Sequence, residues 1–210
     1  MKKYNTLELF SGTGSFSKVM KKYGHNTFTV DNDKSFASDL VQDIIDLREE
    51  QLPYKPDILW ASPPCTTFSV ASISTHWKGG KEAYIPKTDQ AILGIEMVES
   101  TLDLIDQLKP KYWFIENPRG VLRKMAFMKD LHRVTVTYCQ YGDNRMKPTD
   151  IWTNLESWKP RPMCKNGDNC HQSAPRGSRT GTQGLKNAKL RGVIPPQLFK
   201  EILKVITQNE

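Results

Sequence analysis

Short runs that favour β-strands alternate with runs that favour helices over the first two thirds of the chain, and this alternation limits the fold more than any other feature. Strands that alternate with helices build a mainly parallel sheet with helices packed on its faces. We therefore expect an α/β fold with a mixed, mainly parallel sheet. The runs that predict strands are 6–10, 26–30, 57–61, 112–115, 133–139 and 150–153.

Two longer segments have apolar residues at steps of three or four, which is typical of a helix with one buried face. The first covers 89–109, and the second begins at Pro195-Pro196, because proline is tolerated in the first turn of a helix. A shorter helix is expected at 15–23. The apolar positions of the two long helices are Ile92, Ile95, Val98, Leu102 and Ile105, and Leu198, Phe199, Ile202, Leu203 and Ile206.

The size and composition of the chain indicate an ordinary globular protein. Its 210 residues suit a single core, and 38% hydrophobic with 25% charged residues is usual for a soluble protein. No apolar run approaches the roughly 20 residues that cross a bilayer, and the N-terminus lacks a signal-peptide pattern. We expect a cytoplasmic protein without a membrane partner. A monomer is the simplest state, and a dimer stays open.

The net charge of +7 is concentrated in one segment. Residues 159–191 contain eight Lys and Arg against one acidic residue, Asp168, so this basic segment carries +7 and the rest of the chain is neutral. Basic residues among Gly, Ser, Thr and Pro suggest a loop that contacts a polyanion. A solvated basic tail is the alternative that charge alone leaves open.

A glycine-containing turn joins the first expected strand to the first expected helix. Gly12 and Gly14 would let the backbone approach a ligand, and the following helix offers free N–H groups. Asp31 ends the next strand, close to the roughly 20-residue offset at which an acidic residue binds a ribose in dinucleotide folds. These positions predict a site for a nucleoside cofactor, and a plain tight turn is the alternative.

Cys65 lies on a turn directly after the strand at 57–61, in the sequence Ala-Ser-Pro-Pro-Cys-Thr-Thr-Phe-Ser. The carboxyl end of such a strand is where α/β folds bind their ligands. A buried structural cysteine is the common alternative, but the polar and proline neighbours of Cys65 fit it poorly. Glu116 follows the apolar strand at 112–115, so both side chains are expected at the same sheet edge. They form a candidate nucleophile and acid, with a structural role as the alternative for Glu116.

Three motifs occur in an order that closely resembles the DNA (cytosine-5)-methyltransferases. They are Phe-Ser-Gly-Thr-Gly at 10–14, Pro-Cys-Thr-Thr-Phe-Ser at 64–69 and Glu-Asn at 116–117. The resemblance covers most of 4–155 and the last helix, whose entry at 193–198 looks like the final motif of the family. The chain is shorter than most relatives and is similar to the short members found in phages. The resemblance implies a Rossmann-like methyltransferase fold that uses S-adenosylmethionine, with double-stranded DNA as the partner.

The resemblance also implies roles for individual residues. Cys65 would add to C6 of a cytosine flipped out of the duplex while Glu116 protonates or hydrogen-bonds N3, so that C5 can take the methyl group. The stretch at 66–87 is expected to be an irregular lid over the pocket. By resemblance, the catalytic residues are Cys65, Glu116 and Arg145, the cofactor contacts are Phe10, Gly12, Gly14, Asp31, Asp43 and Pro64, and the DNA contacts include Ser69 and Lys147.

Two features depart from the family pattern. Where the family has Gln-x-Arg-x-Arg, this chain has Asp143, Arg145 and Lys147, and Lys keeps the charge but loses the planar fork of Arg. The region that recognises target bases in the family is reduced to a short segment. A catalytically silent relative that binds nucleic acid, or an RNA cytosine-5 methyltransferase, therefore stays an alternative. We expect a catalytic core at 1–154, a basic target-recognition segment at 155–191 and a core-completing helix at 192–210.

Side chains in the middle of the basic segment are candidates for reading bases. Arg can pair bidentately with guanine and Gln with adenine, and the glycines between them would let the backbone enter the major groove. A flexible tether whose charges only add affinity is the alternative. The candidate residues are Arg176, Arg179 and Gln183.

The four cysteines show no regular disulfide framework, and in a reducing compartment we expect thiols or metal ligands. Cys164, Cys170 and His171 lie close enough in sequence to bind zinc together with a fourth ligand, either Cys139 or His132. The spacing is not that of a standard zinc finger. The main expectation is therefore no metal and unligated loop thiols, with zinc as the alternative.

Overall fold

The computed structural model describes residues 2–80, 83–173 and 187–209. Its strands are β1 (Asn5–Leu9), β2 (Asn26–Asp31), β3 (Leu40–Val41), β4 (Ile58–Ala61), β5 (Trp77–Gly79), β6 (Tyr84–Pro86), β7 (Tyr112–Pro118), β8 (Arg133–Thr137) and β9 (Pro148–Thr153). Its helices are α1 (Ser15–Lys22), α2 (Ile73–His76), α3 (Asp89–Leu108), α4 (Ala126–Lys129), α5 (Ala188–Gly192) and α6 (Pro196–Gln208).

Seven of the described strands form one sheet in the order β3-β2-β1-β4-β7-β9-β8. The strands from β3 to β7 in this order pair in parallel, whereas β9 lies antiparallel to both β7 and β8. Parallel neighbours need crossover connections, and α1 and α3 lie in two of them. The predicted α/β fold with a mixed, mainly parallel sheet is confirmed.

The central strands are buried on both faces of the sheet, because successive residues of a strand point to opposite sides. In β4, Ile58 and Trp60 belong to one apolar cluster, and Leu59 and Ala61 belong to the other. Helices α1 and α6 cover the first face, and α3 covers the second. A strand of four buried residues is what a position between two helical layers requires.

The C-terminal helix α6 closes the first face. The ring of Phe199 packs against Phe16, with centroids 5.5 Å apart, and against Trp60 at 4.8 Å. Ahead of the helix, the Ile194 N–H donates to the hydroxyl oxygen of Ser15 at 3.2 Å. All five apolar positions predicted for this helix are buried. The last helix therefore packs beside the turn that follows the first strand.

The stretch at 66–87 was expected to be irregular, and this expectation was wrong, because its described part has regular structure; its role as a lid stays a prediction. Helix α2 is followed directly by β5, which pairs with β6 as an antiparallel hairpin. The indole N–H of Trp77 donates to the carbonyl of Thr67 at 2.7 Å, and its ring lies 5.7 Å from that of Phe68. One buried aromatic residue thus fixes the hairpin against the loop, and no local periodicity reveals such a contact.

The strand predicted at 133–139 ends earlier, at Thr137, and Tyr138–Tyr141 form a 3₁₀ turn instead. The Tyr138 N–H donates to the carbonyl of Met146 at 2.8 Å, and Gly142 ends the turn with φ of 90°. The apolar alternation runs past the strand because Tyr138 remains fully buried after the backbone has left the sheet.

The described beginning of the expected target-recognition segment (155–191) packs against the core. Leu155 and Trp158 are buried in the cluster that α6 covers. The Arg161 Nε donates to a carboxylate oxygen of Glu201, in α6, at 2.8 Å. The proposed three-part division of the chain stays a prediction. None of the described helices combines the length and the apolar character needed to cross a membrane.

Candidate active site

The turn between β1 and α1 has a backbone conformation that favours glycine. Phe10, Gly12 and Gly14 have φ of 54°, 49° and 67°. A Cβ on Gly14 would lie 3.0 Å from Oγ of Ser17. The Gly12 N–H donates to Oδ2 of Asp31 at 2.8 Å. The acid at the end of β2 therefore meets the turn, as a nucleoside site requires.

Asp31 has acceptor capacity left for a ligand. Among the described residues, its Oδ1 accepts the N–H of Asp33 at 2.9 Å and its Oδ2 accepts that of Gly12 at 2.8 Å. A carboxylate offers about four acceptor positions, so a pair of ribose hydroxyls fits the remainder. Next to Asp31, the Asn32 side-chain amide donates to Oδ2 of Asp43 at 3.3 Å. The residues present thus fit an adenosine-containing cofactor.

A buried acid that no motif indicated supports this turn. Glu8, in β1, is 4% exposed, and its carboxylate accepts the N–H groups of Phe16 at 3.0 Å and Ser17 at 2.9 Å. Burial raises the pKa of Glu8, and the two backbone hydrogen bonds lower it. Glu8 caps the first turn of α1 from inside the protein. Its only sequence signal is an acidic residue within an apolar strand.

The loop after β4 presents Cys65 at the carboxyl edge of the sheet. The Cys65 carbonyl accepts the N–H of Phe68 at 3.2 Å and that of Ser69 at 3.0 Å, which closes a tight turn. Asn117, the second residue of the Glu-Asn motif, donates from Nδ2 to the carbonyl of Pro63 at 2.9 Å. This hydrogen bond ties the end of β7 to the Pro-Pro segment and brings the two motifs together.

Gly120 lies where the loop after β7 crosses the Cys65 loop. Its backbone forms an antiparallel bridge with Ser69, and the Val121 N–H donates to the carbonyl of Phe68 at 2.7 Å. A Cβ on Gly120 would lie 2.0 Å from that carbonyl oxygen. Only glycine permits this approach, and the sequence motifs did not point to it.

Glu116, Tyr138 and Lys147 form a buried polar group. The Tyr138 hydroxyl donates to Oε1 of Glu116 at 2.8 Å. The Nζ of Lys147 lies 3.9 Å from the same oxygen and 4.7 Å from the centre of the Tyr138 ring. Burial and the Glu116 carboxylate raise the pKa of Tyr138 well above its ordinary value, so its hydroxyl stays a donor. Tyr138 was not among the predicted site residues.

The Cys65 thiol lies within electrostatic reach of this group. Burial raises the pKa of Cys65; the Lys147 ammonium lowers it, Glu116 raises it, and Arg191 lowers it. The net pKa is above the ordinary value, so the thiol is mostly protonated at neutral pH. The resemblance implies a DNA contact for Lys147, and the structure adds that its ammonium lies 3.9 Å from the Glu116 carboxylate and within electrostatic reach of Cys65.

Arg145 is 4% exposed, and every N–H of its guanidinium donates to the protein. Nε and Nη2 pair with the carboxylate of Asp143. Nη1 donates to the carbonyls of Leu190 at 3.1 Å and Arg191 at 3.3 Å, and Nη2 donates to that of Val193 at 3.1 Å. These contacts clamp the segment ahead of α6. A catalytic role for Arg145 stays a prediction.

The clamped segment borders both halves of the site. Lys189, in α5, donates from Nζ to Oγ of Ser35 at 3.2 Å and lies 4.6 Å from the centre of the Phe36 ring, just beyond β2. Two residues later, the Arg191 carbonyl accepts from Nζ of Lys147 at 3.2 Å. This contribution from the end of the chain was not predicted.

The other expected contacts are only partly covered by the structure. Arg176, Arg179 and Gln183 lie outside the described residues, and their base-reading role stays a prediction. Ser69 is half-buried, with its Oγ 3.1 Å from Oγ of Ser72. Pro64 is exposed beside Cys65.

The fold also gathers four candidate metal ligands at a second place. The ligand atoms of Cys139, Cys164, Cys170 and His171 all lie within 4.8 Å of one another. Among the described residues, His132 is not part of this group. Of the two fourth ligands considered from sequence, only Cys139 is therefore in position.

Comparison with known sequences identifies the protein family of this chain. A family model for C-5 cytosine-specific DNA methylases matches residues 4–135, which include Cys65 and Glu116. The "Probable DNA (cytosine-5)-methyltransferase" of Frog virus 3 (isolate Goorha) is 30% identical over 212 residues. That match covers 94% of this chain and 97% of the viral protein.

Solved structures share the fold. The S. pombe Dnmt2 methyltransferase has a TM-score of 0.50 and 14% identity, covering 76% of this chain and 52% of that one. The Entamoeba histolytica methyltransferase EhMeth has a TM-score of 0.52 and 15% identity, covering 79% and 58%. This chain spans about half the length of these two structures. The predicted methyltransferase fold is confirmed, and the sequence matches establish that the chain belongs to the C-5 cytosine-specific DNA methylase family.

Proposed function

We propose that this chain transfers a methyl group from S-adenosylmethionine to C5 of cytosine in double-stranded DNA, through a transient covalent bond to Cys65. One observation carries the proposal: the Cys65 thiol, the Glu116 carboxylate and the Lys147 ammonium act on one another at the carboxyl edge of the sheet. The neighbouring strand β1 leads into the glycine turn, so a donor site adjoins the nucleophile.

The cofactor would be held by the turn after β1 and by the acids beyond β2. Asp31 would accept the ribose hydroxyls, and Asp43 would lie near the adenine. When bound, S-adenosylmethionine supplies an electrophilic methyl group on its sulfonium. The residues proposed to contact it are Phe10, Gly12, Gly14, Asp31, Asp43 and Pro64.

The reaction needs a nucleophile at C6 because cytosine C5 is too weakly nucleophilic alone. The Cys65 thiolate bonds to C6 while Glu116 gives a proton to N3, which turns the ring into an enamine. C5 could then take the methyl group that S-adenosylmethionine would supply, and the donor would leave as a neutral thioether. Loss of the C5 proton to a base expels the thiolate, and Glu116 takes back the N3 proton.

Tyr138 and Lys147 would orient Glu116 for this proton transfer. Both groups lie on Oε1, so Oε2 is the oxygen that would carry the proton towards N3. Lys147 also favours the Cys65 thiolate. Because burial holds the Cys65 pKa high, the thiol would lose its proton during the attack: the Glu116 carboxylate would accept that proton and give it to N3 as the sulfur bonds to C6.

The substrate cytosine must leave the duplex, at a cost of a few kcal/mol. The basic segment would supply the contacts to DNA phosphates, with Ser69 near the pocket. The monomeric state and the cytoplasmic location stay predictions.

Methyl transfer by matched variants tests the proposal. The wild type should form 5-methylcytosine in duplex DNA and a stable adduct with DNA that contains 5-fluorocytosine, because fluorine cannot leave C5 as a proton does. Cys65→Ser should lose both while S-adenosylmethionine still binds, and Glu116→Gln should bind DNA but lose about 10²–10⁴ in rate. Tritiated methyl transfer, nucleoside mass spectrometry and calorimetry provide the measurements.

Four results would contradict the proposal. Substantial transfer by Cys65→Ser would remove the covalent mechanism, and a loss under about threefold for Glu116→Gln would show another acid. Transfer to RNA alone would change the substrate class. A folded wild-type protein that binds the cofactor but methylates neither nucleic acid would be a silent relative.

A further inference from the structure

The four candidate ligands come from two parts of the chain that are distant in sequence. Cys139 lies in the 3₁₀ turn after β8, whereas Cys164, Cys170 and His171 lie in the basic segment. Between the two cysteines of that segment, Gly167 adopts φ of 96°, and the Lys165 N–H donates to a carboxylate oxygen of Asp168 at 2.7 Å. This tight turn reverses the chain and brings both cysteines to the same side.

The spacing of the ligand atoms matches a tetrahedral metal. Two thiolates at about 2.3 Å from a tetrahedral zinc ion lie about 3.8 Å apart. Here Sγ of Cys170 lies 3.7 Å from Sγ of Cys139 and 3.5 Å from Nδ1 of His171. Cys164 Sγ lies 3.7 Å from the same nitrogen and 3.0 Å from Cys139 Sγ. Of these four distances, the last must lengthen by about 0.8 Å to admit the ion, and all ligand atoms lie within 4.8 Å of one another.

The surroundings suit a closed structural site. Cys139 and Cys164 are each 8% exposed, so the group has an inner wall, while Cys170 faces the surface. The Gln140 side-chain amide lies 3.5 Å from Sγ of Cys170 and can donate to a thiolate. We propose that Cys139, Cys164, Cys170 and His171 bind one zinc ion, which these three soft thiolates and an imidazole select.

The ion would hold the basic segment to the catalytic core. The described part of that segment before residue 173 has no helix or strand, so few backbone hydrogen bonds fix it. Cys139 directly follows Tyr138, whose hydroxyl donates to Glu116. A bond from the metal to Cys139 therefore links the start of the basic segment to the turn that positions the catalytic acid. This link rests on the proposed function, whereas zinc binding does not.

Metal analysis of the full chain, purified without a metal-affinity column, tests the site. We expect about one zinc ion per protein chain by inductively coupled plasma mass spectrometry. Replacement by cobalt should give the intense visible absorption of a tetrahedral site and a thiolate charge-transfer band. Cys164→Ser should lose the metal, whereas the matched control Cys65→Ser should retain it. Hydrogen exchange should rise at 138–141 and 160–173 when a chelator removes zinc, while α6 stays protected.

The wild-type measurements test zinc binding even if Cys164→Ser does not fold. Zinc below about a tenth of an equivalent in folded protein, with four titratable thiols, would overturn the proposal. An intact mass two hydrogens lower would show a disulfide instead and would overturn it as well. Because metal content is read without methyl transfer, an inactive protein with bound zinc would refute only the proposed function.

Discussion

Lys147 shows how a single residue can differ from the family pattern and still serve the site. Its backbone adopts φ of 28°, a left-handed conformation that is uncommon for a residue other than glycine. Its Nζ donates to the Arg191 carbonyl and lies over the Tyr138 ring. A compact ammonium, unlike a planar guanidinium, can face a carboxylate and a thiol from one point. Its charge should therefore set the reactivity of Cys65.

Removal of this charge should change the pH dependence of Cys65 alkylation. The raised pKa predicts that alkylation accelerates with pH and reaches its midpoint above the value of about 8.5 for a free thiol. Lys147→Met removes a cation that lowers this pKa, so the midpoint should move up further. Glu116→Gln removes an anion that raises it, so the midpoint should move down. Peptide mass spectrometry after iodoacetamide pulses across a pH series measures Cys65 alone.

The opposite signs of these two variants are the internal control, and Lys200→Met, on the exposed side of α6, should leave the midpoint unchanged. Equal midpoints for all four proteins would show that neither charge acts on the thiol.

Local motifs predicted the residues whose chemistry follows a strand end. Cys65, Glu116 and Asp31 could be found because each lies at or near the carboxyl end of a recognisable strand: Asp31 ends β2, Glu116 lies near the end of β7, and Cys65 lies in the loop after β4. Glu8 and Tyr138 could not, because only the tertiary fold brings them to their partners: Tyr138 meets Glu116 from the turn after β8, and β8 lies two positions from β7 in the sheet. Residues that act through a tertiary contact produce no regular spacing in the sequence, so no motif indicates them.

At the scale of elements, the position of Cys65 depends on the crossing of the loop after β4 with the loop after β7. The loop after β4 and the loop after β7 pair through Ser69 and Gly120, and Asn117 adds a second link through Pro63. Each loop therefore holds the other, and the nucleophile and the acid move as one unit.

Gly120→Ala should break this crossing. Because the new Cβ would lie 2.0 Å from the Phe68 carbonyl oxygen, one loop must shift. We expect the free energy of unfolding to fall by about 1–3 kcal/mol and methyl transfer to fall by about 100-fold, since small displacements of reacting groups are costly. The matched control is Gly192→Ala, where a Cβ would meet nothing within 4 Å. Urea unfolding and transfer rates measure both effects, and equal behaviour of the two variants would contradict the crossing.

The element boundaries show where sequence patterns stop being informative. The sequence predicted β1, β2, β4, β7, β8 and β9 and both long helices, because their apolar periodicity reflects burial on a sheet or helix face, whereas the two-residue strand β3 was not predicted. The hairpin of β5 and β6 was missed because its one buried anchor, Trp77, packs on a loop. The end of β8 was misplaced because Tyr138 stays buried beyond the last strand residue.

At the scale of the whole molecule, the net positive charge lies in a different part of the chain from the strands of the sheet. The basic segment carries the entire net charge of +7, so the part of the chain that forms the sheet is neutral as a whole. Arg145 holds residues 190–193, at the end of that segment, across the site; Arg191 lies within this clamped stretch, and Lys189 directly precedes it. Phosphate attraction should therefore be directed to the face that holds Cys65.

Arg179, which lies outside the described residues, is the sharpest test of how this charge is used. If it reads a base, Arg179→Ala should cost about 1–3 kcal/mol in DNA binding and relax the preference at one position. If it contacts only phosphate, binding should weaken equally for all sequences, and the slope of log affinity against log salt should fall by about one. We expect the first result. The matched control, Lys200→Ala, removes one exposed charge outside the segment and should change neither property. Competition among randomised duplexes at two salt concentrations separates the outcomes, and an unchanged sequence preference in Arg179→Ala would leave this residue as a tether to the backbone.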